Sequence, residues 1–292
     1  MKTMTGYTTT ILSLALLLTL GGCVKDELHD TPHPDTGKVT VTADWADRGE
    51  GVDIPASWHI VMGDYTSTET GATHSPDYLF NPGSYTLAVY NPADGITVSG
   101  TTAAVVQEAG NGAYISNTPG WLFTSVQEVE IEADTDYSLT AVMHQQVREL
   151  TLVIEPTGDA AERIETIEGT LSGAAGTLDF ATGTHGTPSE VELHFTKITE
   201  GDDAGKWMAT VRLLGIAGDA QRLTATLTYT DGNPQPTSLN SDLTSALNSF
   251  NDGKTAPLTL GGTLAETPGE AGFTGEITDW ETVDGGGVDA EM

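Results

Sequence analysis

The chain has 292 residues, 11 Lys plus Arg against 42 Asp plus Glu, a formal net charge of −31, and one cysteine. Length allows one large domain or two ordinary ones, and a single cysteine excludes an intramolecular disulfide, so the fold rests on packing. So few cations exclude non-specific nucleic-acid binding, which needs Lys and Arg to displace phosphate counterions, and also disfavour adsorption to anionic headgroups. Any membrane attachment is therefore covalent or hydrophobic.

The N-terminus supplies such an attachment. Lys2 gives a positive start, and Ile11 to Leu20 is an apolar core. That core is too short for a membrane-spanning helix, which needs about 20 residues. Leu20-Gly21-Gly22-Cys23 follows and resembles the bacterial lipobox, in which the cysteine becomes the acylated first residue of the mature protein. Residues 1–22 are thus read as a lipoprotein signal peptide and set aside from the fold. Residues 23–37 read as a polar tether with two prolines and no periodicity. Within it, Lys25-Asp26-Glu27 resembles the short acidic export signal of Bacteroidetes surface lipoproteins; the bland alternative is a solvated linker.

Beyond the tether, alternation of period two dominates. Strands are predicted at Lys38–Trp45, Trp58–Met62, Ser84–Tyr90, Ile96–Ser99, Glu128–Glu132 and Tyr137–Met143. A second set follows at Arg148–Ile154, Ile164–Leu171, Glu190–Phe195, Trp207–Leu214, Leu223–Tyr229 and Phe273–Trp280. Turns are expected at Glu155–Gly158 and Thr230–Pro234. Apolar residues at 239, 243, 246, 247 and 250 have helical spacing, so Leu239–Phe250 is predicted as one short helix. The fold class is all-β: two consecutive antiparallel β-sandwich domains with one short helix in the second. The N-terminal sandwich is placed at 38–146, the C-terminal one at 147–283, and a flexible tail at 284–292.

Templates for catalysis are missing. The chain has no Gly-x-Ser-x-Gly elbow, P-loop, dinucleotide fingerprint or His-Glu-x-x-His. His29 and His33, near Asp30 and Asp35, sit in the tether, where ordering four ligands costs backbone entropy. His59 and His194 fall within strand patterns and read as outward-facing residues. The acidic turns Glu200–Gly205, Asp231–Asn233 and Asn251–Gly253 lack the twelve-residue calcium loop and suit hairpin turns. No metal, cofactor or catalytic residue is assigned. The tryptophans 45, 58, 121, 207 and 280 are spread one per strand region, as core anchors are, and not clustered as a sugar-stacking platform.

Taken together, Cys23 to Asp35, the strand Lys38–Trp45, the block Ala141–Leu152, Gly232–Pro236 and Phe273–Trp280 resemble the minor fimbrial subunit family of Bacteroidales, the FimB type. The resemblance spans the mature chain. It implies two transthyretin-like sandwiches, lipid attachment to the outer membrane with the body facing the exterior, fimbrial subunits as partners, possible strand addition between them, and no enzyme activity. It also implies a choice between an anchoring and another accessory role. Stalk relatives lose their first strand when a trypsin-like protease cuts after Arg or Lys. Here Arg48 is the candidate, and no Lys or Arg follows from Gly49 to Val147. The acidic, glycine-rich segment Glu281–Met292 is a poor donor strand. A surface glycan-binding lipoprotein of an uptake system is the alternative; it would share the signal and the sandwiches.

Overall fold

The structure is a computed structural model, and it describes residues 35–283 apart from 109–112, 159–160, 233–234 and 270–271. Cys23, the lipobox residues Leu20, Gly21 and Gly22, the residues Lys25, Asp26 and Glu27, and the tail 284–292 lie outside the described residues.

In chain order the strands are β1 (Gly37–Asp44), β2 (Trp58–Met62), β3 (Tyr65–Glu69), β4 (Thr73–His74), β5 (Leu79–Phe80), β6 (Gly83–Tyr90), β7 (Ile96–Ser99), β8 (Thr102–Val105), β9 (Tyr114–Ile115) and β10 (Phe123–Ile131). They continue with β11 (Asp136–Val142), β12 (His144–Gln145), β13 (Arg148–Thr157), β14 (Ile164–Asp179), β15 (Thr184–Lys197), β16 (Trp207–Leu213), β17 (Arg222–Tyr229), β18 (Thr237–Asp242), β19 (Leu258–Gly269) and β20 (Gly272–Thr282).

The first sandwich faces two sheets across one core. One sheet runs β11-β1-β4 with β5 also on β1; the other runs β12-β10-β6-β2-β3. The alternation read from the sequence sets which side chains point inward. Val39, Val41 and Ala43 of β1, Trp58, Ile60 and Met62 of β2, and Val129 and Ile131 of β10 are buried, while the intervening residues face outward. On the solvent side Glu128 and Glu130 accept hydrogen bonds from Thr86 and Ser84 of the neighbouring strand.

In the second half, pairing forms a circuit: β14-β17-β18-β20-β19-β13-β16-β15, with β15 returning to β14. The sheet thus closes around its own core, and its edges there are paired rather than open. The long strands β14 and β15 make closure possible. A register shift between Ser172 and Ala174, with Gly173 at φ +77, bends β14 at its middle.

The two halves are not separated cleanly in sequence. The hairpin β7–β8 joins β14 through Ala104↔Thr177, and β9 runs parallel to β15 at Glu190 and Val191. The strands β7, β8 and β9 therefore belong to the second sheet, and Ala103, Val105 and Ile115 enter the second core.

Two local expectations are corrected. Leu239–Phe250 is not a helix. β18 covers Thr237–Asp242, with Thr237, Leu239 and Ser241 inward; then a single turn follows, closed by Leu247 N donating to Leu243 O at 2.9 Å. Leu239, Leu243, Leu247 and Phe250 are all fully buried. Their helical spacing arises where an alternating strand runs into one helical turn. Glu155–Thr157 is not a turn either, because β13 continues through Pro156, paired in parallel with Thr263, Leu264 and Ala265.

Candidate functional site at the first strand

β1 is an interior strand. On one side it pairs in parallel with β11 from Lys38↔Asp136 to Asp44↔Val142; on the other it meets β4 at Val41↔His74 and β5 at Lys38↔Leu79. Thr40 and Thr42 add hydroxyl contacts to Ser75 (2.8 Å) and Thr73 (3.0 Å). The entry point is tight: a Cβ on Gly37 would lie 2.6 Å from Ile131 Cγ2 and 2.9 Å from Glu132 O, so only glycine lets the chain pass there. Extracting β1 would expose Val39, Val41 and Ala43 together with the apolar groove they fill. Burying a valine side chain contributes about 1.5–3 kcal/mol, and the alanine methyl less.

The loop after β1 is fastened to β12 and, through it, to the second sandwich. Gly49 N donates to Gln145 Oε1 at 2.8 Å. Gln145, 5% exposed, also donates through Nε2 to Val147 O (2.9 Å) and Lys254 O (2.7 Å). One amide side chain thus joins the first-strand loop, the inter-sandwich connection and a loop 109 residues further on. Its neighbour Gln146 accepts from Lys254 Nζ at 2.7 Å, and burial pushes the Lys254 pKa down. A Cβ on Gly49 would lie 2.5 Å from Thr255 O. Arg48 is exposed but turned back on its own loop, with Nη1 donating to Trp45 O (2.9 Å) and Nε to Val52 O (3.1 Å). The Arg48–Gly49 bond therefore lies between two fixed points, the Arg48 side chain folded onto its own loop and the Gly49 amide held by Gln145. An exposed pair, His144 Nδ1 and Asp47 Oδ2 at 2.6 Å, closes the loop from outside.

A second constellation escaped sequence reading because its members are scattered over 65–85. Tyr65 Oη and His74 Nε2 are 2.7 Å apart, and His74 Nδ1 meets Glu69 Oε2 at 2.9 Å. Glu69 also accepts from Ser67. Tyr78 and Phe80 pack on Tyr65 in tilted and edge contacts, and Tyr85 packs edge-on against Phe80. The line Tyr65–His74–Glu69 carries no nucleophile with an adjacent oxyanion site. It ties β3 in one sheet to β4, the flank of β1, in the other.

Of the remaining sequence candidates, His29, Asp30 and His33 lie outside the described residues; the others make local contacts. His59 hydrogen-bonds Thr68 (2.7 Å), and His194 is exposed beside Glu192 (3.5 Å). Gly201, Gly205, Gly232 and Gly253 adopt positive φ within the acidic turns. Among the described residues no group of three or more His, Cys, Asp or Glu side chains could hold a metal ion. Trp58 and Trp207 are buried, and Trp45, Trp121 and Trp280 are half-buried against the two cores, so they form no exposed row.

The family model of the fimbrillin-A associated anchor proteins Mfa1 and Mfa2 matches residues 61–285. The chain belongs to this family. Among solved structures it is similar to the fimbrial anchor protein Mfa2 from Porphyromonas gingivalis, at 15% identity and TM-score 0.53, covering 85% of this chain and 97% of that one. A candidate adhesin from Bacteroides ovatus gives 17% identity and TM-score 0.56, with 85% and 94% coverage. A candidate polysaccharide-binding protein from Bacteroides thetaiotaomicron gives 11% identity and TM-score 0.50, with 80% and 93% coverage. At these identities the structures establish a shared fold. Comparison with curated proteins gives no match. The family is of the fimbrial anchor type, structural rather than catalytic, which points to the cell surface and to fimbrial proteins as associates.

Proposed function

We propose that this protein is a lipid-anchored outer-membrane protein, facing the cell exterior, that serves as an anchoring subunit of a fimbrium. The observation that carries the reading is the first strand. It is paired on both sides, seated by three buried side chains, and followed by a locked loop at Arg48. A subunit that must stay joined to an N-terminal lipid gains from each of these features. A subunit that must surrender its first strand to a donor gains from none. Cys23 is the acylated residue, and acyl chains supply the hydrophobic attachment that an acidic surface lacks. Lys25, Asp26 and Glu27 direct export to the exterior. Fimbrial subunits are the partners, by protein–protein contact. The glycan-binding alternative draws no support from the tryptophans, which are packed against the cores.

Three experiments on cells test this. Cys23→Ala should abolish lipid labelling and release the protein from membranes; continued fractionation with the outer membrane refutes lipid anchoring at Cys23. N-terminal analysis of protein from cells should find the chain intact through Arg48. A mature form beginning at Gly49 would place the protein among strand-accepting subunits instead. Replacing Lys25, Asp26 and Glu27 by alanine should lower surface protease accessibility, and unchanged accessibility would reduce them to linker.

A further inference from the structure

β1 and β11 run in the same direction, and their far ends lead to different places. β1 begins at Gly37, where the N-terminal segment enters the fold. β11 ends at Val142, from which Met143 to Val147 lead directly into β13 of the second sandwich. The register is unbroken over seven residue pairs, Lys38↔Asp136 to Asp44↔Val142. At roughly 3.3 Å per residue this ladder is about 20 Å long. Its C-terminal end is tied by Met143 N donating to Asp44 O at 2.8 Å, and its N-terminal end by Lys38 N to Thr135 O (2.9 Å) and Asp134 N to Thr36 O (3.1 Å).

We propose that the β1–β11 pair is a shear clamp, whose function is to carry tension between the N-terminal tether and the second sandwich without unfolding. A pull at residue 36 and an opposing pull at residue 143 act along the strand axis and in opposite directions on two parallel strands. Slip of β1 then requires all the ladder hydrogen bonds, evenly spaced in a parallel pair, to fail together. It also drags Val39, Val41 and Ala43 out of the core in one step. An antiparallel pair joined by a hairpin, pulled at its open ends, would instead unzip one bond at a time. The flanking strands add to the clamp: β4 and β5 grip the other edge of β1, and the Tyr65–His74–Glu69 line fixes β4 to the opposite sheet. The proposal rests on the anchoring role for its biological sense, since only a tethered subunit is loaded at its N-terminus. The mechanical property itself is a consequence of topology.

Forced unfolding is governed by the unfolding rate under load, so direction of pull is the decisive variable. The chain from Cys23 onward, produced without lipid, carries one cysteine as the first handle. A second handle is placed either by His144→Cys, just past the end of β11, or by Ala133→Cys, beside the entry of β1. Both positions are exposed, so neither substitution disturbs the core; His144→Cys gives up the exposed contact with Asp47, which lies outside the β1–β11 ladder. A pull between positions 23 and 144 loads the ladder in shear; a pull between positions 23 and 133 peels β1 from its Lys38 end. In optical tweezers or force microscopy, the rupture force in the first geometry should exceed that in the second several-fold. Equal forces in the two geometries would overturn the clamp. Neither result depends on lipidation, so a failure of the clamp and a failure of the anchoring role can be told apart.

Discussion

Gln145 Oε1 accepts the amide of Gly49 at 2.8 Å, across 96 residues of sequence. That contact makes retention of the first strand depend on the junction between the sandwiches. Gln145→Ala removes the acceptor of Gly49 N and the donor to Val147 O and Lys254 O, leaving buried polar groups without partners. The expected loss is about 3 kcal/mol, read as a lower urea midpoint. Trypsin should then cut after Arg48 faster than in the parent, which N-terminal sequencing beginning at Gly49 will show. Unchanged cutting would mean that the loop is protected without Gln145.

Gly37→Val tests the entry of the strand. The new side chain would meet Ile131 Cγ2 and Glu132 O well inside van der Waals contact. Overpacking of this kind costs roughly 1–3 kcal/mol. Amide exchange should accelerate first in β1 and β11 and leave the second sandwich protected. Uniform acceleration in both sandwiches would count against a local effect.

Tyr65→Phe removes one hydroxyl from the Tyr65–His74–Glu69 line while keeping the ring in its aromatic cluster. Loss of about 1 kcal/mol is expected from one partly buried hydrogen bond. A double-mutant cycle with His74→Ala should be strongly non-additive, since the two groups share one contact. Additive losses would show that the pair contributes nothing jointly.

His185 gives the pH dependence a sign. Burial, and then the nearby Lys254 charge, lower its pKa; Nε2 is buried without a hydrogen-bond partner among the described residues. The folded form therefore takes up a proton at lower pH than the unfolded chain, whose histidine titrates near about 6.5. Below that value the unfolded state binds more protons, so stability falls as pH falls toward the folded pKa. His185→Gln should flatten this limb of the stability–pH curve in urea titrations. Parallel curves for the two proteins would assign the limb to other groups.

Sequence alone determined a good deal here. The alternation at Lys38–Trp45, Trp58–Met62 and Trp207–Leu214 determined strands, because period two places every second side chain on one face whatever the neighbours are. The charge balance of −31 excluded non-specific nucleic-acid binding, and the residues Cys23–Asp35, Lys38–Trp45 and Ala141–Leu152 carried the resemblance to a fimbrial subunit family. Tertiary structure decided what one-dimensional spacing does not encode. Leu243, Leu247 and Phe250 face a core either from a helix or from a turn following β18, and only the pairing of β17 with β18 selects the second. Ile96–Ser99 carries a strand pattern, but β8, its hairpin partner, was not legible, and β14, on which the hairpin pairs, lies in the other half of the chain. Gln145 sits between two strand signals and looks like an ordinary connector. It becomes a lock because folding brings Gly49 and Lys254 within hydrogen-bonding distance of one amide group. The parallel pairing of β1 with β11 is likewise a matter of which strands meet. Alternation says that a strand has two faces; only the assembled sheet says which strand lies at its edge and in which direction it runs.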